Sequence, residues 1–271
     1  MTIDLAPHNP YGLTLRSPVI VAAGCASVLR HPDPQLLGAI VTTTAMLRAP
    51  HLSPTRWGAV PAGVVFERLP TISFRSLIQA EAKRWPRSPI PILLSIAGAA
   101  DELAHMAAQL ETLEGIAGVV VQTDDSAASH AIAAVRSQTP LPLLAVIPHA
   151  VTLESGPGAL ATELVAAGAD ALIASAYPRG SAVTGEDMVD GFVVGPTLIP
   201  WTLRALGELS ASVTVPLIAL GGVGDTRLAQ LCLNAGASAL MIDGALYGDP
   251  AAPHKIGTAL QRKIASDAAS A

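Results

Sequence analysis

The stretch VPLIALGGVGDTRLAQLCLNAGASALMIDGALYGDP at residues 215–250 decides the fold. It contains two short apolar runs, at residues 215–220 and 238–242, separated by a helical segment at residues 226–235. Neither run alternates with polar residues, which is typical of parallel strands buried on both faces. Each run ends in glycine where a helix begins, so backbone N–H groups at these turns can approach an anion. The stretch predicts a strand–helix–strand unit that holds a phosphate, although Gly-Gly after a strand is also common as a plain tight turn.

Six further apolar runs precede this unit and repeat its order of strand and helix. They lie at residues 18–23, 39–43, 90–96, 117–122, 141–147 and 170–175. The phrases AAGAD (166–170) and NAGAS (234–238) place glycine at equivalent helix ends, where a left-handed backbone is needed. Eight such units predict a parallel eight-stranded (β/α)₈ TIM barrel, in which the loops after strands seven and eight form the usual phosphate cradle. We expect residues 1–271 to form a single domain.

Two long connections interrupt this regular order. Residues 45–89 are rich in proline and arginine, and within them the pattern predicts a helix at residues 73–84. A second connection follows strand six and runs to about Pro196. Loops of this length are usually functional or act as lids, so we expect both to border the ligand site.

The composition excludes several classes of protein. The net charge is −5 without a cluster of Lys or Arg, which argues against a nucleic-acid groove. No apolar run approaches the roughly 20 residues of a membrane span. The N-terminus MTIDLAPHNP lacks the basic and apolar regions of a signal peptide. The two cysteines form neither a disulfide framework nor a metal-type spacing, so we expect a cytoplasmic protein without a metal.

The collinear order of these segments resembles the dihydroorotate dehydrogenase family, most closely its soluble class. The likeness is carried by NPYGLTLRSPVIVAAG (9–24), GAIVTTTAMLRAPHLSPTR (38–56), LLSIAG (93–98), AAGADALIAS (166–175), DGFVVGPTLIPWTLRAL (190–206) and residues 215–250. The resemblance spans almost the whole chain. It implies a TIM barrel with an N-terminal hairpin, and an FMN-dependent oxidoreductase of pyrimidine biosynthesis that acts on a CH–CH group of a small molecule.

The resemblance also implies where FMN would lie across the mouth of the barrel. The ring edge would rest near Ala22, Ala23 and Gly24. The phosphate would rest on backbone amides near Gly195, Gly221, Gly222, Gly244 and Ala245. Glycine at most of these positions allows the backbone to approach the phosphate closely.

The chain departs from the family where side chains perform the chemistry. The lysine after strand two is replaced within Thr42-Thr43-Thr44, which puts Thr43 at the flavin, and strand five (141–147) contains no lysine. Because that second lysine stabilises negative charge on reduced flavin, we expect its loss to hinder reduction. The catalytic N-x-S-C-P-N loop after strand four is replaced by residues 123–127, and a substrate asparagine by Phe66.

Three polar residues are candidates for acid–base catalysis at the mouth. Asp124 and Asp125 follow strand four, and His149 follows strand five. A carboxylate there can act as a base, one of the pair with a raised pKa, and a histidine can donate a proton. The ordinary alternatives are an N-cap for the helix at Ser126 and a solvated loop histidine.

Other polar residues near the mouth carry the same ambiguity. Cys25 is typical of a small buried cysteine at a strand end. Tyr177 and Arg179 either cover a ligand or are ordinary surface residues. Asp243 directly precedes the cradle, where its charge would disfavour a phosphate unless the side chain points away.

Three hypotheses for the function follow. The first is an FMN-dependent oxidoreductase with a diverged substrate and an altered base. The second is a non-catalytic or repurposed homologue that binds FMN or another phosphorylated ligand. The third is a structural partner subunit with an empty barrel. The apolar barrel helices suggest a homodimer in each case.

Overall fold

A computed structural model of the chain describes residues 2–29, 32–48, 55–60, 63–123, 128–148, 150–151, 156–175 and 177–270, with the backbone alone for residues 264, 265 and 267–270. The strands are β1 (Ile3–Asp4), β2 (Thr14–Leu15), β3 (Val19–Val21), β4 (Ala39–Val41), β5 (Thr44–Met46), β6 (Trp57–Val60), β7 (Gly63–Phe66), β8 (Thr71–Ser73), β9 (Ile92–Ala97), β10 (Ile116–Gln122), β11 (Leu143–Val146), β12 (Ala171–Ser175), β13 (Arg179–Thr184), β14 (Asp187–Val194), β15 (Leu217–Leu220) and β16 (Ala239–Ile242). The helices are α1 (Phe74–Glu81), α2 (Ala100–Ala108), α3 (Ala128–Arg136), α4 (Gly158–Ala166), α5 (Ile199–Ser212), α6 (Thr226–Asn234), α7 (Ala245–Gly248) and α8 (Ala252–Ser270).

Eight parallel strands close into a barrel, which confirms the predicted TIM-barrel fold. Their order is β3, β4, β9, β10, β11, β12, β15 and β16, and β16 pairs back onto β3. Each observed strand lies within a residue or two of its predicted run. The strands read as continuous apolar segments because their side chains fill the barrel on one face and contact the helices on the other. Leu93, Leu143 and Ile218 are fully buried there.

The N-terminal hairpin is also confirmed. Strands β1 and β2 are antiparallel, with Ile3 opposite Leu15 and Asp4 opposite Thr14. The hairpin precedes β3 directly. Within the residues that the structure describes, no helix combines the length and the apolar content that a membrane span requires.

The two long connections contain more regular structure than the sequence pattern indicated. Strands β6 and β7 of the first connection and β13 and β14 of the second form one antiparallel sheet, in the order β13, β14, β7, β6. Phe192 of β14 lies opposite Phe66 of β7, so the two connections are joined beside the barrel mouth. The sequence pattern did not predict these four strands, because Gly, Pro and charged residues interrupt their apolar alternation.

Arg136 at the end of α3 ties the amino-terminal side of the barrel together. Its guanidinium donates to the carbonyl oxygens of Thr139, Leu141 and Gly168 and, at 2.6 Å, to Oδ2 of Asp170. The same carboxylate oxygen accepts the backbone N–H of Leu143 at 2.8 Å. One side chain therefore joins α3 to the starts of β11 and β12.

We expect Arg136→Ala to lower the free energy of unfolding by about 1–3 kcal/mol, because it leaves half-buried carbonyl and carboxylate oxygens without a hydrogen-bond donor. Urea unfolding monitored by circular dichroism measures the loss. The matched control is Arg204→Ala, whose partner Glu208 is an exposed neighbour one helical turn away. That pair should contribute no more than about 0.5 kcal/mol. Equal losses in the two variants would contradict the structural role of Arg136.

Candidate functional site

A cavity opens at the carboxyl ends of the barrel strands. Its volume is about 820 Å³ including its open mouth. Every strand of the barrel, or the turn after it, contributes to its wall. The lining residues are Ala22, Ala23, Cys25, Val41, Thr44, Phe66, Leu69, Pro70, Thr71, Ala97, Val120, Gln122, Val146, Ser175, Tyr177, Val194, Leu220, Met241, Asp243, Gly244 and Tyr247. This end of a TIM barrel is where its enzymes place their active sites.

The cavity is mostly apolar and partly covered. Val120, Val146 and Met241 line it from the barrel strands, and Phe66 and Pro70 line it from the first long connection. The ring of Phe66 meets that of Tyr247 edge to face, with centroids 5.1 Å apart. A planar ring system would find apolar walls here, with few polar groups to fix its orientation.

A buried carboxyl group is the most unusual polar feature of the cavity. Asp243 follows β16 and is only 4% exposed, and its Oδ2 accepts the hydroxyl of Tyr177 at 2.8 Å. Burial raises the pKa of Asp243, and the hydrogen bond from Tyr177 and the nearby backbone N–H groups of Gly244 and Asp243 offset this only in part. Burial also raises the pKa of Tyr177, and the neighbouring Asp243 raises it further.

Two further titratable groups lie beside this pair. Burial raises the pKa of the Cys25 thiol to about 12, with a further contribution from Asp243. Burial likewise raises the pKa of Tyr247 to about 12. Both groups keep their protons at neutral pH, so Cys25 is a buried thiol and not a thiolate nucleophile. This agrees with the structural interpretation of Cys25 from the sequence.

A network of neutral side chains forms the opposite side of the cavity. The amide nitrogen of Gln122 donates to Thr44 Oγ1 at 3.0 Å and to Ser95 Oγ at 3.1 Å. The two hydroxyls lie 3.0 Å apart and share a hydrogen bond. Thr42 Oγ1 accepts the backbone N–H of Ser95 at 3.1 Å, which anchors the network to two strands. These groups satisfy one another and hold Gln122 in position.

The glycine-rich turns after β14, β15 and β16 converge beside the cavity. A methyl group on Gly244 would lie 3.0 Å from the Cα and N atoms of Gly195, and one on Gly222 would lie 2.4 Å from the N atom of Ile199. Gly222 thus packs against the start of α5. Within the described residues, the N–H groups of Gly221 and Gly222 donate to no backbone carbonyl. Free N–H groups beside the start of a helix suit an anion.

The neighbouring turn is held by side chains. Thr202 Oγ1 donates to the carbonyl oxygen of Gly221 at 2.7 Å. Asp225 caps α6 by accepting the N–H of Leu228 at 2.8 Å. Asp225 already occupies the start of α6. At the start of α5 the N–H of Ile199 donates to the carbonyl oxygen of Pro196, and Pro200 has no N–H, so the turn at Gly221 and Gly222 is the candidate anion site.

The structure places the predicted cofactor residues at different depths around the cavity. Ala23 and Gly244 line it. A methyl group added to Gly24 would lie 3.4 Å from Cβ of Pro70. Thr43 and Ala245 are half-buried and are not among the residues that line the cavity. Thr44, next to Thr43, does face the cavity. The three predicted catalytic residues, Asp124, Asp125 and His149, lie outside the described residues.

Arg179, a candidate from the sequence, and Arg56 of the first long connection are not among the residues that line the cavity. Arg179 stacks on Phe192, with its guanidinium 5.1 Å from the ring centroid, and Arg56 lies 3.7 Å from Glu67. Sequence reasoning did not anticipate the pairing of Tyr177 with Asp243. The sequence signal for this contact was an aspartate directly after the apolar run at residues 238–242, where burial of the side chain requires a hydrogen-bonding partner.

The buried carboxyl group gives a pH-dependent stability with a defined sign. Because folding raises the pKa of Asp243 above its ordinary value of 3.8, its contribution is fully present below that pH and is lost as pH rises through the folded pKa. Tyr177, Cys25 and Tyr247, the titratable groups around it, keep their protons throughout this range. Asp243→Asn should therefore become steadily more stable relative to the unmodified chain as pH increases. Urea unfolding between about pH 4 and about pH 8 measures the difference, and a constant difference would contradict the burial of an ionisable carboxyl.

Comparison with known proteins finds relatives along nearly the full length of the chain. It is 29% identical to the catalytic subunit of dihydroorotate dehydrogenase B (NAD(+)) from Desulforudis audaxviator (strain MP104C), over 93% of this chain and 90% of that protein. It is 28% identical to the same subunit from Pelobacter propionicus (strain DSM 2379), over 97% and 92%. It is 27% identical to dihydroorotate dehydrogenase A (fumarate) from Lacticaseibacillus paracasei (strain ATCC 334), over 92% and 94%. No protein-family model matches the chain.

Proposed function

Because the chain is a divergent homologue of the dihydroorotate dehydrogenases, we propose that it is an FMN-binding oxidoreductase acting on a CH–CH group of a small molecule. The observation that carries this proposal is the apolar cavity at the carboxyl ends of the strands, bordered by converging glycine backbones. The substrate has diverged from dihydroorotate, because the residues that bind orotate in the family are replaced here.

The residues around the cavity fit a flavin. Its phosphate would lie on the N–H groups of Gly221 and Gly222, with Gly195 and Gly244 alongside. Its ring would lie against Ala22 and Ala23, which line the cavity. The side chain of Asp243 is directed towards Tyr177 and not towards the start of α5, so it leaves the phosphate position accessible.

Bound FMN would supply a hydride acceptor, and the chain's own residues would position the substrate and exclude water. Phe66, Leu69 and Pro70 line the cavity and would exclude water from the reacting atoms. Gln122 is held by Thr44 and Ser95 and can orient a polar edge of the substrate. Each of these roles uses a side chain already fixed by packing or hydrogen bonds.

We assign proton transfer to Asp124 or Asp125, with His149 as a second proton donor. Asp124 follows Gln122, a lining residue, by two positions in the sequence, and His149 follows the lining residue Val146 by three. A base at either position would come from the end of a barrel strand, as in other TIM-barrel enzymes. Cys25 is unsuited to this role because its raised pKa keeps it protonated.

One observation favours a second function, binding of FMN or another phosphorylated ligand without redox chemistry. Among the described residues that line the cavity there is no lysine or arginine, and Val146 lies on the strand where the family carries its flavin lysine. Negative charge on a reduced flavin would have no cationic partner from these residues. Such a protein would retain FMN but would not reduce it.

Anaerobic mixing of the FMN-loaded protein with candidate CH–CH substrates separates the two functions. Loss of the visible absorbance of oxidised flavin with one of these substrates is the expected result. Dihydroorotate serves as the reference substrate and should bleach the flavin poorly. A protein that holds FMN but is bleached only by dithionite, and by no substrate tested, would refute the oxidoreductase and leave the binding function.

A further inference from the structure

One oxygen of the buried carboxyl group lacks a hydrogen-bond partner. Oδ2 of Asp243 accepts the hydroxyl of Tyr177, but Oδ1 has no partner among the described residues, and the side chain borders the cavity. Leaving a buried polar atom without a hydrogen-bond partner is costly, because its lost hydration is not replaced. Such an atom at the wall of a cavity indicates a position where a bound molecule supplies the missing hydrogen-bond donor.

The other polar groups of the cavity point to the same kind of ligand. Gln122 uses its amide nitrogen on Thr44 and Ser95, which leaves its carbonyl oxygen as an acceptor for a ligand. The described lining residues include no lysine or arginine. The described part of the lining therefore offers hydrogen-bond acceptors and a carboxyl group, and no compensating cation.

This arrangement is unfavourable for a carboxylate ligand. An anion brought into an apolar cavity loses its hydration and requires a cation or several donors in exchange. Here it would meet a second carboxyl group, and two carboxylates at close range cannot both stay ionised. An uncharged ring with an N–H group would instead donate to Oδ1 of Asp243 without bringing a second charge.

We propose that Asp243 is a specificity-determining residue whose Oδ1 accepts a hydrogen bond from an N–H or O–H group of the ligand, so that the cavity selects an uncharged cyclic amide over the corresponding carboxylate. As a statement about the substrate this rests on the proposed function, since the ligand would then be the molecule oxidised beside the flavin. The binding preference itself requires no catalysis.

Two matched pairs of probes test the preference in the unmodified protein. Dihydrouracil and dihydroorotate share one ring and differ by a carboxylate, as do uracil and orotate. Isothermal titration calorimetry on the FMN-loaded protein should give at least about tenfold tighter binding for the uncharged member, the value of one hydrogen bond to a charged group. Equal or tighter binding of the carboxylates, or no binding of either uncharged ring, would overturn the proposal.

Two variants locate the effect at Asp243. Asp243→Asn replaces one hydrogen-bond acceptor with an N–H donor. The variant should therefore bind dihydrouracil about tenfold more weakly, and dihydroorotate more tightly, than the unmodified protein. Asp249→Asn is the matched control, because it removes the same charge from an exposed carboxylate paired with Lys255 and should change neither affinity. If Asp243→Asn is insoluble, the relative affinities of the unmodified protein for the uncharged rings and the carboxylates still test the proposal. An Asn variant with unaltered selectivity would contradict the role of Asp243.

The outcome is separable from that of the proposed function. A protein that binds FMN and prefers uncharged rings but never reduces its flavin would retain this inference and lose the oxidoreductase. A protein that reduces its flavin with dihydroorotate, and binds dihydroorotate more tightly than dihydrouracil, would retain the oxidoreductase and lose this inference.

Discussion

Gly222→Ala should lower the free energy of unfolding by about 2–6 kcal/mol, which combines overpacking with a strained backbone. The added methyl group would lie 2.4 Å from the N atom and 2.7 Å from the Cα atom of Ile199, which are backbone atoms without freedom to rotate away. Gly222 also has a φ of 88°, a left-handed conformation that alanine rarely adopts. A loss of this size is a large fraction of the roughly 5–15 kcal/mol that stabilises an ordinary domain. We expect little soluble protein and a much lower urea midpoint.

The matched control for this substitution is Gly207→Ala. Gly207 lies on the exposed face of α5, where an added methyl group meets nothing within 4 Å. The change should stabilise the protein by about 0.5–1 kcal/mol, because alanine is the better helix former. A soluble Gly222→Ala variant as stable as Gly207→Ala would show that the turn after β15 does not pack against α5 as described. The same contact means that larger residues at Gly222 cannot serve as clean tests of phosphate binding.

The second large effect concerns turnover. Replacing both Asp124 and Asp125 with Asn should lower kcat by about 10²–10⁴-fold, the usual contribution of a positioned general base. Flavin content and thermal stability should change little, because both residues stay polar and keep their volume. Stopped-flow measurement of flavin reduction across a range of pH gives the rate and the pKa of the base. The single variants then assign the role to one aspartate.

Asp187→Asn controls for the loss of negative charge. Asp187 is exposed at the turn between β13 and β14, away from the barrel strands. Its turnover should match that of the unmodified protein. If the double variant at Asp124 and Asp125 also turned over normally, the base would have to be sought among other residues, with His149 next.

The barrel itself could be predicted because its strands are short, apolar and bounded by glycine. Gly168 and Gly236, predicted to take left-handed conformations at helix ends, have φ values of 109° and 102°. The antiparallel sheet beside the mouth could not be predicted, because long-range pairing such as Phe66 with Phe192 leaves no local pattern. Its strands are also interrupted by glycine and charge.

The candidate site was predicted less completely than the fold. Backbone positions such as Gly195 and Gly244 could be proposed because glycine, which has no side chain, is typical of places where the backbone approaches a ligand or another backbone segment closely. The partner of a buried side chain cannot be read from one sequence, so the contact between Tyr177 and Asp243, 66 positions apart, emerged only from the fold. The network of Gln122, Thr44 and Ser95 was missed for the same reason.

The most direct test of the account is the flavin content of the purified protein. The chain is incubated with excess FMN and freed of unbound ligand, and the retained chromophore is released and identified. The account predicts a visible oxidised-flavin spectrum and FMN in equal molar amount to the chain. A folded, colourless protein that retains no FMN would contradict the flavoprotein assignment and favour a barrel that binds a different ligand or none.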